Sequence, residues 1–221
     1  MSANRLPADR PGGWEALVVS VYTFKPRFQA LLRPLVVRLA TAGVTANQVT
    51  LAAALGSLVV GAFVAVIYPI RWPFLLIPVW LFVRMALNAV DGMLAREHNQ
   101  KSRLGAYLNE LGDVFSDAAL YAPFALLPAF GAFWISLVIL LSAVSELAGV
   151  LGPVVGVSRR YDGPMGKSDR AFVFGALGLW IGIGLSLPLW TQWILVALAV
   201  LLLITIDNRV RAGLRETGTA A

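Results

Sequence analysis

The stretch VDGMLAREHNQKSRLGAYLNELGD, residues 90–113, brings carboxylates, amides and cationic side chains at regular intervals into an otherwise apolar chain. The sequence on either side of it is mostly Leu, Val, Ala and Ile. Because apolar residues continue through the stretch at helical spacing, it predicts two helices joined by the polar loop 97–103. Its polar side chains then lie on the faces of two neighbouring helices.

The composition is that of an integral membrane protein. Of the 221 residues, 58% are hydrophobic and 14% are charged, whereas soluble domains have about half and about a quarter. Helices are predicted throughout, because backbone that faces lipid must satisfy its own hydrogen bonds. The fold class is therefore all-α, with six transmembrane helices of roughly the ~20 residues needed to cross a bilayer. Their approximate limits are 46–69, 73–96, 104–129, 132–156, 170–188 and 190–210.

Polar segments flank the six spans. Residues 1–13 contain several Pro and Gly and predict a disordered tail, without the apolar core of a signal peptide. Residues 14–43 mix apolar and basic side chains and predict an amphipathic helix at the bilayer surface, broken or kinked at Pro26 and Pro34. The remaining divisions are the six-helix domain, residues 44–211, and a C-terminal tail, residues 212–221.

The basic residues predict the orientation. Of the 18 Lys and Arg residues, all but Arg71 and Arg84 lie near the N-terminus, in the polar regions 96–103 and 158–170, or near the C-terminus. Cytoplasmic loops carry such an excess, so both termini and both long loops are predicted in the cytoplasm, in a bacterial inner membrane. The net charge of +6 then needs no nucleic acid as a partner. The absence of cysteine excludes disulfides and thiolate metal sites.

Two polar helix faces meet at the predicted hairpin. Residues three or four apart share a helix face, which gives Asn88, Asp91, Gly92 and Arg96 before the loop, and Gly105, Asn109, Asp113 and Asp117 after it. Asp91 and Asn109 lie at matching depths, each roughly 9 Å from the loop at 1.5 Å per residue. The glycines allow the two backbones to approach closely.

Carboxylates inside a membrane are costly and usually functional. A nearly all-oxygen ligand set with one histidine in the chain favours Mg²⁺ or Mn²⁺ over zinc or copper. The alternative is structural, with interhelical hydrogen bonds or an ion pair such as Asp91 with Arg96. Several acids and amides on facing stripes favour a site.

The motif resembles a known signature. Asp91-Gly92-x-x-Ala95-Arg96, eight residues, then Gly105-x-x-x-Asn109-x-x-x-Asp113 is similar to the pattern of the CDP-alcohol phosphotransferase (CDP-alcohol phosphatidyltransferase) family. That pattern is Asp-x-x-Asp-Gly-x-x-Ala-Arg, eight or more residues, Gly-x-x-x-Asp-x-x-x-Asp. The six spans, the N-terminal helix and GVTANQVT before the first span are also similar to the family. Within it the chain is identified as a phosphatidylglycerophosphate-synthase-like member.

The resemblance implies a membrane enzyme of phospholipid biosynthesis. Such an enzyme moves a substituted phosphoryl group from a CDP-linked lipid, such as CDP-diacylglycerol, to the hydroxyl of a polar acceptor alcohol and releases CMP. It implies a site facing the cytoplasm, two divalent metal ions (Mg²⁺ or Mn²⁺) and a homodimer.

The resemblance also implies roles for individual residues. By motif position, Asp91 is a metal ligand, Asp113 is both a ligand and the general base, and Asn88 and Asn109 occupy the other two acidic positions. The implied contacts of the diphosphate and cytidine are Gly92, Arg96, Ser102, Gly105, Thr45 and Asn47. In the second polar loop, Lys167 and Arg170 are candidates to bind an anionic acceptor such as glycerol phosphate or inositol phosphate. The alternative for these two is ordinary positive-inside anchoring.

The two asparagines depart from the pattern and reduce a set of four carboxylates to two. Holding two divalent cations in a low-dielectric cavity then becomes harder. Three interpretations follow: the site binds one metal beside the substrate diphosphate, Asp117 or the less favourably placed Glu110 replaces a missing carboxylate, or catalysis is lost.

Two further functions compete with the enzyme. A catalytically silent relative would bind a CDP-lipid or regulate a partner protein. A small transporter or channel would use the acids for ion coupling, but the internal repeats typical of transporters are not evident. Elsewhere, Glu146 inside the fourth span is predicted to pair with Arg84 or to line an acceptor cavity.

Overall fold

The computed structural model describes residues 13–217, and side chains for residues 27–216. These residues fold into seven α-helices and three short 3-10 segments, which confirms the all-α prediction. The helices are α1 Gly13–Thr41, α2 Ala46–Ile67, α3 Leu76–Glu97, α4 Arg103–Tyr121, α5 Ala132–Val154, α6 Lys167–Gly182 and α7 Gln192–Thr217. The 3-10 segments are Trp72–Leu75, Ala122–Leu126 and Leu189–Thr191.

Helices α2 to α7 correspond in order to the six predicted spans. Four segments of the described chain are long and apolar enough to cross a membrane, and they are Ala46–Ile67, Trp72–Glu97, Ala132–Val154 and Leu189–Glu216. Helix α4 carries Glu110, Asp113 and Asp117, and α6 has 16 residues, or about 24 Å at 1.5 Å per residue. The chain is an all-α membrane protein, and large apolar side chains cover much of its outer surface.

Helix α1 runs without interruption through Pro26 and Pro34, so the break expected there is absent. It packs against α3, where the Phe28 and Phe82 rings meet edge to face and Arg33 forms an ion pair with Glu97 at 3.0 Å. At the other end, α7 continues beyond the predicted boundary at residue 211. Residues 1–12 and 218–221, which belong to the two predicted tails, lie outside the described part of the chain.

The helices pack in two groups. Helix α2 packs against α3 and α4, α3 also packs against α6, and α5 packs against α7. Aromatic rings fill the centre between these groups, with Tyr121 and Phe174 stacked at 3.7 Å and Phe74 edge-on to Phe124 at 5.2 Å. This apolar packing holds the helices together and leaves the polar ends of α2, α3 and α4 free to form a site.

The α2–α4 contact depends on a glycine. A side chain at Gly61 would overlap the backbone carbonyl of Ala119, whereas a methyl at Gly112 would make ordinary contact with Ala54 at 3.6 Å. Alanine substitutions at Gly61 and Gly112 therefore form a matched pair, because they add the same methyl group to a closed and to an open position of one interface.

We expect Gly61→Ala to destabilise the protein by about 1–3 kcal/mol, because an added methyl overpacks a closed contact. Gly112→Ala should be neutral or slightly stabilising, since alanine is the better helix former. Thermal unfolding of the purified protein in detergent measures both. Equal melting temperatures for the two variants would contradict the close approach at Gly61.

Candidate functional site

A polar cavity of about 520 Å³ lies where α2, α3 and α4 meet beside the loop 97–103. Eight of the predicted site residues line it: Asn47, Asn88, Asp91, Gly92, Arg96, Ser102, Gly105 and Asn109. They come from three helices and one loop, so the hairpin alone does not build the cavity. The start of α2 closes its third side.

The start of α2 is fixed by side-chain caps. The Thr45 hydroxyl accepts a hydrogen bond from the Gln48 backbone N–H at 3.2 Å, and Gln48 Oε1 accepts one from the Thr45 N–H at 2.9 Å. Together these two hydrogen bonds form a capping box. The loop is tied to the same helix start, because Gln100 Oε1 accepts from the Ala46 N–H at 2.7 Å. Thr45 thus acts as a cap and does not line the cavity.

Two glycines shape the walls of the cavity. A methyl group at Gly92 would lie 3.1 Å from both terminal nitrogens of Arg96, so the guanidinium folds back over a bare backbone. A methyl group at Gly105 would lie 2.7 Å from Asn47 Oδ1. Gly105 also donates its N–H to Ser102 Oγ at 2.9 Å. These positions hold cation and amide groups at the cavity wall.

Asp91 is buried, with 6% of its surface exposed, and is held by a neutral partner. Its Oδ2 accepts a hydrogen bond from the Thr50 hydroxyl at 2.7 Å. Within the described residues, no Lys or Arg nitrogen lies within 4.0 Å of its carboxylate. The Asp91 charge therefore faces the cavity without a cationic partner, and the expected alternative pair with Arg96 is not formed.

Asp113 lies beside the cavity and, unlike Asp91, is bound by two cationic side chains. Its Oδ1 contacts Lys167 Nζ, accepts from Arg84 Nη2 at 3.0 Å and lies 3.5 Å from Asn88 Nδ2. The Arg84 guanidinium also donates to the Asp113 carbonyl at 3.1 Å. All three side-chain contacts are to one oxygen, so the other carboxylate oxygen keeps its capacity to accept a proton.

A chain of buried ion pairs continues from Asp113 into the bundle. Asp117 accepts from Arg84 at 2.6 Å and from Arg170 at 2.9 Å, one guanidinium on each oxygen. Arg170 also contacts Glu146 at 2.9 Å, and Arg209 lies 3.6 Å from the other Glu146 oxygen. We call this set the charge network; its members are Arg84, Asp113, Asp117, Glu146, Lys167, Arg170 and Arg209.

The charge network changes three sequence-based expectations. The interpretation of Asp117 as a replacement metal ligand is not supported, because two guanidinium groups occupy its two oxygens. Arg170 is 1% exposed and bound to carboxylates, so it does not present its charge to an acceptor. Glu146 does form ion pairs, but with Arg170 and Arg209 and not with Arg84.

Glu110 lines the polar cavity, but its carboxylate is bound to an arginine. Its two oxygens bind the Arg159 guanidinium, which lies over the Tyr161 ring at 5.1 Å. Glu110 is therefore a poor replacement for the carboxylate that Asn109 lacks. The pair joins α4 to the second polar loop.

A second, apolar cavity of about 800 Å³ lies between α3 and α6. Apolar residues such as Leu81, Phe82 and Phe172 form most of its wall. Its polar end consists of Arg84, Asn88, Lys167 and Ser168. Because Asn88 lines both cavities, the polar and apolar spaces meet at that residue, next to Asp113.

The donors of the site suit one divalent cation better than two. Asp91 and the amides of Asn88 and Asn109 are oxygen donors in the polar cavity, as Mg²⁺ or Mn²⁺ requires. Within the described residues, no three Asp, Glu or His side chains come together as a metal-binding group. The second carboxylate of the motif, Asp113, is already bound by two cationic side chains.

Sequence reasoning did not identify three residues that organise this region. Thr50 binds Asp91, Gln100 ties the loop to α2, and Arg209 joins α7 to Glu146. Thr50 carried a detectable signal, since it lies one turn after the capping box at the polar end of its helix. Arg209 lies at the end of the last predicted span, where a basic residue is typical of a cytoplasmic boundary.

Comparison with known proteins agrees with the motif. Residues 43–206 match the family model described as CDP-alcohol phosphatidyltransferase. The inner membrane protein YnbA of Escherichia coli K12 is 48% identical over 198 residues, covering 88% of this chain and 96% of YnbA.

Solved structures share the fold. The phosphatidylinositol phosphate synthase PgsA1 of Mycobacterium tuberculosis, crystallised with manganese and citrate, superposes with a TM-score of 0.64 at 19% identity. The match covers 81% of this chain and 87% of PgsA1. A second PgsA1 structure, with CDP-DAG bound, gives the same TM-score at 20% identity, covering 81% of this chain and 92% of that one.

We expect Arg170→Met to destabilise the protein by about 3–5 kcal/mol, because it leaves Asp117 and Glu146 buried with fewer partners. The control is Arg211→Met, which removes an exposed pair with Asp207 worth about 0.3–0.5 kcal/mol. Melting temperatures in detergent compare the two. A small effect of Arg170→Met would mean that the charge network does not stabilise the bundle.

Proposed function

The chain belongs to the CDP-alcohol phosphatidyltransferase family, and from that premise we propose that it transfers a phosphatidyl group from CDP-diacylglycerol, or a related CDP-alcohol, to a polar acceptor alcohol. The acceptor hydroxyl oxygen forms a new bond to the phosphorus that carries the lipid. The bond from that phosphorus to the CMP oxygen breaks, and CMP leaves. The observation that carries this proposal is the polar cavity, which gathers the family motif around Asp91 at the boundary with an apolar cavity.

The two cavities suit the two parts of a CDP-linked lipid. The polar cavity offers Arg96 and Lys101 for a diphosphate, with Asn47, Ser102 and Gly105 for the nucleoside. The apolar cavity between α3 and α6 accepts hydrocarbon. Asn88, at the junction, then lies next to the phosphorus at which the bond changes.

Asp91, with the amides of Asn88 and Asn109, would hold a Mg²⁺ or Mn²⁺ ion. Such an ion, when bound, neutralises diphosphate charge and polarises the phosphorus. Arg96, an exposed residue at the cavity wall, adds positive charge for the diphosphate. Thr50 orients the Asp91 carboxylate by its hydrogen bond.

Asp113 is the proposed general base. Arg84 and Lys167 fix its Oδ1, so Oδ2 takes the proton from the acceptor hydroxyl as the new bond forms. Lys167 also faces the cavity junction, where its ammonium suits an acceptor that carries a phosphate. Arg170 binds Asp117, whose other oxygen binds Arg84, and it thereby helps to hold Arg84 next to Asp113.

The membrane arrangement is part of the proposal. Helices α2 to α7 span the bilayer six times, α1 lies at its surface, and both termini and the site face the cytoplasm. The distribution of Lys and Arg supports this orientation. We further propose a homodimer in the inner membrane, on the family resemblance.

A second candidate is a catalytically impaired protein that binds a CDP-lipid. Two amides at acidic motif positions, and a motif carboxylate already paired with Lys167, favour it over a transporter. The two functions differ in whether CMP is produced.

Purified protein supplied with CDP-diacylglycerol and Mg²⁺ or Mn²⁺ should release CMP with one of four acceptors: glycerol 3-phosphate, inositol phosphate, serine or phosphatidylglycerol. Chromatography of the nucleotide measures the release, and omission of each acceptor is the control. Binding of the CDP-lipid with no release for any acceptor would favour the impaired protein.

Asp113→Asn should lower turnover by about 10²–10⁴, the usual contribution of a positioned base, while CDP-lipid binding is retained. Asp207→Asn is the matched control, since it removes the same charge at an exposed position on α7. Size-exclusion profiles verify that both variants are folded. Full turnover in Asp113→Asn would remove Asp113 as the base.

A further inference from the structure

Lys167 is the first residue of α6 and is held in a fixed position. The Gly166 N–H donates to Asp169 Oδ2 at 2.9 Å, which fixes the start of the helix. From there the Lys167 ammonium reaches the Asp113 carboxylate on α4. Its side chain is 31% exposed, so the ammonium also faces the junction of the two cavities.

The two carboxylates of the motif have opposite electrostatic environments. Asp91 has a neutral hydroxyl partner and no cation within 4.0 Å in the described part of the chain. Asp113 has two cations, Lys167 and Arg84, on a single oxygen. A divalent ion at Asp113 would meet two like charges at contact distance, whereas one at Asp91 would not.

The side-chain amides of Asn88 and Asn109 also disfavour a second divalent ion. With Asn88 and Asn109 in place of carboxylates, the polar cavity does not have the negative charge that two divalent ions need. A lysine ammonium needs fewer ligands, because it is one compact charge with three donors. One N–H of the Lys167 ammonium donates to Asp113, which leaves two N–H groups that can donate to phosphate oxygens.

We propose that the Lys167 ammonium takes the place of a second divalent cation, so that this site binds a single ion, at Asp91, Asn88 and Asn109. The proposal deepens the proposed function and rests on it in assuming that the site receives a diphosphate. The ion and the ammonium would each supply part of the charge that a diphosphate requires.

Counting bound metal tests the proposal without turnover. Purified protein in detergent is titrated with Mn²⁺ in the presence of CDP, and free Mn²⁺ is measured by electron paramagnetic resonance. We expect about one Mn²⁺ per wild-type chain. Two ions of similar affinity in the wild type would overturn the proposal, whereas absence of CMP release in the activity assay would leave this count unchanged.

Variants at the amide positions separate the lysine from the missing carboxylates. Asn88→Asp/Asn109→Asp, with Lys167 retained, should still bind one Mn²⁺, at least roughly tenfold more tightly because ligand charge is added. Adding Lys167→Met to that background should raise the count to two. In the same two-aspartate background, Arg211→Met, which removes an exposed cation that lines neither cavity, should leave the count at one.

Two results would contradict the assignment. The first is binding of two ions by Asn88→Asp/Asn109→Asp with Lys167 present, since the ammonium then excludes nothing. The second is a count that stays at one in the triple variant. If Lys167→Met does not fold, two ions in the wild type or in the two-aspartate variant would still contradict the assignment, because Lys167 is unchanged in both.

Discussion

Pairing of buried charge is the constraint on which the rest of the structure depends. Arg84, Arg170 and Arg209 are almost fully buried in an apolar bundle, where an uncompensated charge costs several kcal/mol. Asp117 pairs with Arg84 and Arg170, one on each carboxylate oxygen. Glu146 pairs with Arg170 and Arg209. These side chains come from α3 to α7, so their pairing fixes how five helices are rotated about their axes.

The site is a consequence of that rotation. Asp113 lies one turn before Asp117 on the same face of α4, so the arginine that binds Asp117 also reaches Asp113. Asp91 lies on α3, beyond the reach of these cations, and takes a threonine from α2. Two aspartates with similar motif positions thus have different chemistry: one is oriented by a neutral hydroxyl and the other is held by two cations.

Much of the fold could be predicted because its signals are local. The helix starts follow from the apolar runs, whereas α4, α6 and α7 end six or more residues from the predicted limits. The capping box at Thr45 needs only residues three apart. Asp91 and Asn109 line one cavity, as predicted, but the expected close approach of the α3 and α4 backbones is not formed, because α2 packs against both helices. The ion pairs could not be predicted in the same way. Arg84 and Arg170 have several carboxylates within a plausible bundle, and only the packed helices decide that both bind Asp117.

The polar cavity around the two asparagines has features that lipid binding alone does not require. A protein that only binds lipid would need the apolar cavity and a cation near the headgroup, and α3 and α6 provide both. The bare backbone at Gly105 beside Asn47, and the folding of Arg96 over Gly92, serve neither purpose. They build a polar cavity of about 520 Å³ on the other side of Asn88, which is large for a phosphate alone. Such a pair of cavities favours a ligand with a hydrocarbon part and a large polar part, whose phosphorus would lie between them, beside Asp113.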